Sequence, residues 1–149
     1  MTRRPGSLVE IRASLDPVAQ YFQDAWAVAK DEELPVGVAS RVVPGFCRNG
    51  IEATCMEAVR RRRLARGEPH ESVEGLLHGR KTTELAALAL LDDETQGGKV
   101  LTEINRKWDR RAGDAYRDCQ AGTHKGFSGS LADLVNESRS LAERLRSLG

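Results

Sequence analysis

Near its C-terminus the chain reads Arg117-Asp118-Cys119-Gln120-Ala121-Gly122-Thr123-His124, an arginine, a carboxylate and a histidine in order, just before a final helical pattern. Arginine holds and neutralises a phosphate through a planar fork of donors. Histidine is the side chain best matched to moving a proton near neutral pH. Together they point to phosphodiester chemistry that needs no metal.

Spacing alone carries limited weight in a chain where 18 of 149 residues are arginine, and Arg63 and His70 repeat the same separation. Context separates the two pairs. Arg63 is followed by Leu64 and its pair spans a Gly-Glu-Pro turn, whereas Arg117 is followed by Asp118 and lies between two helical patterns. A purely structural use of the same residues stays open: Arg117 pairing with Asp114 or Asp118, and His124 capping a helix end or facing solvent.

A second basic feature is the cluster Arg60, Arg61, Arg62, Arg63 and Arg66, which with Lys125 can supply contacts to a nucleic-acid backbone. The same cluster fits the C-terminal turns of a long helix, where cations complement the helix dipole. Cys47, Cys55 and Cys119 are odd in number and lack paired C-x-x-C or H-x-x-x-H spacing. They read as small buried hydrophobes, with no disulfide framework, no metal site and no cofactor expected.

The elements that must position these residues are mostly helical. Val9 to Leu15 alternates apolar and polar residues with a strand period, and Asp16-Pro17 then opens a helix with a capping side chain and a proline at its first position. Val18, Tyr21, Phe22, Ala25, Trp26 and Ala29 form its apolar stripe. A longer pattern runs from about Val36 to Arg66, with Pro44 expected to kink it or to mark its start. Shorter helices follow: one around Val73 to Leu77, one over Glu84 to Leu91 capped by Thr82 or Thr83, one from Val100 to Trp108, and one from Arg110 to Gln120 capped by Asp109. Gly122, Gly126 and Gly129 predict a loop before the last helix, which starts at Ser130.

The expected fold is therefore all-α, an up-and-down helical bundle over residues 16–149 with one short N-terminal β-strand in an arm over residues 1–15. A lone strand leaves its backbone groups unpaired, so the arm reads as the end of a preceding domain or as an edge that meets a second copy. One domain of this length buries about 70% of the surface its unfolded chain exposes. No apolar run suits a membrane span or a signal peptide, which predicts a cytoplasmic protein. The net charge is +1.

A helical bundle of this size with Arg-polar-x-x-x-x-x-His before its final helix resembles the HEPN superfamily of ribonuclease and nucleic-acid-associated domains, over roughly residues 16 to 148. The resemblance implies that Arg117, Asp118 and His124 form a ribonuclease centre, that two copies pair as a homodimer, and that RNA is cut without a metal. His124 would then act as general acid or base on the ribose 2′-hydroxyl, Arg117 would stabilise the scissile phosphate, and Asp118 would orient one of the two. The order of strand, Asp-Pro-capped helix, Val43-Pro44-Gly45-Phe46-Cys47-Arg48 and arginine-rich helix end is also similar to the C-terminal region of RecF- and SMC-like bacterial ATPases. Some of these belong to phage-defence systems. That similarity implies an ATPase domain or subunit as partner. It also frames the alternative function, a non-catalytic dimerisation or interaction module of a larger ATPase.

Overall fold

The computed structural model describes residues 16–148, so the predicted strand and the arm over residues 1–15 lie outside the described residues. Within that range the chain is all-helical. Its helices are α1 (Pro17–Ala29), α2 (Val36–Ala65), α3 (His70–Leu77), α4 (Thr82–Leu91), α5 (Val100–Lys107), α6 (Arg110–Lys125) and α7 (Leu131–Arg146), with a 3₁₀ turn at Glu94–Lys99 between α4 and α5. None of the described helices is long and apolar enough to cross a membrane.

Capping chemistry fixes most of the helix starts. Asp16 accepts from the amides of Val18 and Ala19, Asp109 from that of Ala112 and Ser130 from that of Asp133. The start of α4 departs from expectation. The helix begins at Thr82, earlier than its apolar run, and no side chain caps it; instead the Glu84 carboxylate accepts from the Lys81 amide at 2.9 Å.

The spine is α2, a helix of 30 residues and thus about 45 Å long. Pro44 lies inside it rather than at its start, and the helix runs through, with the proline ring buried. Inward-facing Val43, Cys47, Ile51, Cys55 and Val59 give α2 a continuous apolar stripe. Phe22 of α1 packs over Gly50, and Arg146 at the end of α7 bridges Asp16 and Glu57. On the other side Gly122 of α6 lies against Pro44, and Cys119 of α6 meets Ser138 of α7. These pairings make α1 and α6 run antiparallel to α2, while α7 runs parallel to it. The result is an up-and-down four-helix core of α1, α2, α6 and α7, with α3 to α5 inserted between its second and third helices.

Apolar burial drives the assembly. Phe22, Ile51, Leu88, Ile104, Val135, Leu141 and Leu145 are all at most 2% exposed. The run Leu85 to Ala89 in α4 is buried on every side, as its unbroken apolar sequence predicts. Cys47, Cys55 and Cys119 are free thiols in this core. Burial pushes the Cys55 thiol up to about 12, which keeps it neutral.

Candidate functional site

Of the stretch expected to be a loop after Gln120, residues 126–130 are one, but residues 121–125 continue the helix, and that correction matters most for the site. Gly122 looks like a breaker in sequence, yet here it is a contact residue: a Cβ at this position would come within 2.7 Å of the Pro44 ring. Close approach to α2 needs a residue without a side chain, and packing outweighs glycine's helix cost of roughly 1 kcal/mol. The helix consequently continues to Lys125 and ends at Gly126, whose φ of 79° suits glycine. The chain then turns so that the Phe127 amide donates to the Ser40 carbonyl.

Arg117 and His124 therefore lie seven residues apart on one unbroken helix. Seven residues are about 20° short of two turns, so the two side chains leave the same face at levels about 10 Å apart. Both are exposed. Arg117 pairs with Asp114 at 3.3 Å and with Asp118 at 3.4 Å, all on α6. His124 makes no hydrogen bond to another described residue. Asp118 thus orients the arginine and not the histidine. It also lines, with Asp114, Asp133 and Glu137, a groove of about 220 Å³ between α6 and α7 that neither Arg117 nor His124 borders.

The chemical capacity of this face follows from its solvent exposure. With side chains 55%, 43% and 29% exposed, the ion pairs of Arg117 with Asp114 and Asp118 are worth roughly 0–1 kcal/mol each. A phosphate can displace them readily. Lys125 is exposed on the last residue of the same helix.

The arginine cluster is placed quite differently. Arg60 grips Glu74 of α3 through two bonds, 2.7 and 2.9 Å long. Arg61 reaches the Arg146 and Leu148 carbonyls beyond the end of α7. Arg62 donates to the carbonyls of Leu88 and Ala89, at 2.6 and 3.0 Å; the Ala89 carbonyl is one that the end of α4 leaves open, while the Leu88 carbonyl also accepts from the Asp92 amide. Arg63 bridges Glu68 and Asp92, and Arg66 also binds Asp92. Asp92 itself sits in the left-handed region at φ 57°, ending α4. The last turns of α2 are thus a clasp that ties together the ends of α3, α4 and α7.

Electrostatics agree with that description. The hydrogen bond from Arg60 holds the Glu74 carboxyl below the usual carboxylate range. Burial alone would raise Asp92, but the Arg66 hydrogen bond and the charges of Arg63, Arg66 and Arg62 outweigh it and hold Asp92 low.

Sequence reasoning did not find a third place where polar residues converge. Arg48 and Glu52 on α2, Lys81 to Thr83 at the start of α4, and Gln120 on α6 line a cavity of about 370 Å³. The Arg48 to Glu52 spacing of four is the one local sign of it; the rest depends on three elements meeting. Compared with protein-family models, curated proteins and solved structures, the chain matches none of them.

Proposed function

We propose that this chain is a HEPN-like RNA-directed domain, a metal-independent endoribonuclease that works through the Arg117/His124 face of α6. The observation that carries this reading is the unbroken helix through Gly122, which aligns a displaceable guanidinium with an imidazole that has no partner among the described residues. Arg117 exchanges its two weak carboxylate partners for the scissile phosphate. His124 takes the proton of the ribose 2′-hydroxyl, or returns one to the leaving oxygen. Asp118 holds the guanidinium in place before RNA arrives. A homodimer would set two such faces together, and an attached ATPase of a phage-defence system would make the domain its effector.

Attack by the 2′-hydroxyl predicts a chemical signature. Incubated with single-stranded RNA in excess EDTA, the protein should yield fragments ending in 2′,3′-cyclic phosphate, and 2′-O-methyl RNA should survive intact. Cleavage of the methylated strand would contradict the mechanism.

One observation favours the second reading, a non-catalytic interaction module. Val36, Val38 and Val42, at the start of α2, are 81%, 46% and 37% exposed, a waste of apolar area unless something covers it. On that reading the dimeric state should be lost on Val38→Ser with Val42→Ser in sedimentation runs, and no RNA should be cut by the parent protein.

A further inference from the structure

Gly113 on α6 leaves a gap that Asn105 of α5 fills. A Cβ at Gly113 would collide with the Asn105 carboxamide and crowd the Leu101 side chain at 3.2 Å, so α5 can lie this close to α6 only because the position is bare. The carboxamide is thereby laid over the middle of α6. It sits on an exposed residue and makes no hydrogen bond to another described residue. Residues three and four apart on a helix are surface neighbours. Arg110 stands three before Gly113 and Arg117 four after it, so Asn105 lies between two arginine positions, with His124 two turns further on.

Arg110, Arg117 and His124 thus mark one exposed line along α6, about 21 Å long. The charges beside that line are unevenly divided. Arg110 forms no ion pair among the described residues. Its neighbouring acid, Asp109, is taken by the Ala112 amide and Arg144, and Glu103 of α5 is held by Arg106. On the α7 side, by contrast, Asp114, Asp118, Asp133 and Glu137 line the groove. On the α5 side, Asn105, Arg106 and Lys107 are exposed. A polyanion laid along α6 is therefore repelled from the α7 side and drawn to the α5 side.

We propose that the α5 edge of this face is the path of a single RNA strand, in which Arg110 holds a second phosphate along the strand from the one at Arg117 and the Asn105 carboxamide reads a base between them. The inference rests on the reading of α6 as an RNA-directed face. It adds to that reading two substrate contacts and a base preference. Arg110 has no carboxylate partner to give up before it meets a phosphate, and the counterions it displaces make its share of the binding salt-dependent. A carboxamide presents an acceptor and donors side by side. That pattern meets adenine with two bonds, and the bases of a single strand are free to offer the edge it needs, so the path should favour adenosine.

The test uses the full chain in EDTA with strands that cannot be cut, fluorescein-labelled 2′-O-methyl oligo-A, oligo-U and oligo-C. Affinity is read by fluorescence anisotropy at several salt concentrations. Wild type should bind oligo-A about tenfold more tightly than the other two. Asn105→Ala should abolish that preference. Arg110→Gln should weaken all three strands alike and lower the slope of log affinity against log salt by about one, whereas Arg110→Lys keeps the charge and should keep the slope. Both side chains are exposed, so melting curves of the variants should match wild type. An unchanged slope in Arg110→Gln, the same preference in Asn105→Ala, or no strand bound by wild type would overturn the proposal. Failure of the ribonuclease reading alone looks different: the strands are bound with these dependences, and cleavable RNA stays intact.

Discussion

The guanidinium of Arg62 ends against two backbone carbonyls, whereas that of Arg117 stays half exposed between two carboxylates of its own helix. The difference decides what each residue does. Arg62 is 19% exposed and fills the Ala89 carbonyl, which no backbone amide meets, while adding a second donor to the Leu88 carbonyl. Arg62→Ala should destabilise the fold by about 1–3 kcal/mol in urea unfolding, and Arg62→Lys should not restore it, because an ammonium lacks the fork that spans two carbonyls. A loss below the scatter of the measurement would remove Arg62 from the clasp. Arg117→Ala, by contrast, should leave stability within about 0.5 kcal/mol of wild type, because its pairs are exposed and local.

At the scale of elements, Gly122 and Gly45 make opposite predictions from the same substitution. Gly122→Ala forces a Cβ onto the buried, rigid ring of Pro44, so α6 must move off α2, at a cost of about 1–3 kcal/mol. Gly45→Ala meets nothing within 4 Å on α2 and should stabilise by about 0.5–1 kcal/mol through helix propensity. Thermal melts of the two variants should move in opposite directions. The pair also shows why the sequence was legible in some places and not in others. Asp16, Asp109 and Ser130 announce helix starts because capping is local chemistry. The apolar run of α4 announces its burial. Gly122 reads as a breaker because its reason for being glycine is Pro44, 78 positions away. The carbonyl and carboxylate partners of Arg60 to Arg66 on α3, α4 and α7 are likewise visible only after folding, so the sequence shows a basic cluster without its intramolecular partners.

For the whole molecule, the clasp implies a pH dependence of definite sign. Glu74 and Asp92 have carboxyls held below their ordinary values by the arginines of α2. Groups with depressed folded pKa values contribute stability that is fully present above the unfolded value of about 4 and is lost as pH falls through the folded one. Unfolding monitored by circular dichroism should show stability declining below about pH 4, and Glu74→Gln with Asp92→Asn should flatten that decline. The clasp ties helices together at one end of α2, while the candidate catalytic face lies on α6 towards the other, beside the turn where Phe127 meets Ser40. The most direct measurement is RNA cleavage in EDTA by wild type, Arg117→Ala and His124→Ala, each shown to be folded by its melting curve. Cleavage by wild type and a loss of at least a hundredfold in both variants is the expected result. Undiminished cleavage by either variant, or none by wild type in any oligomeric state, would contradict the assignment of the α6 face as a ribonuclease centre.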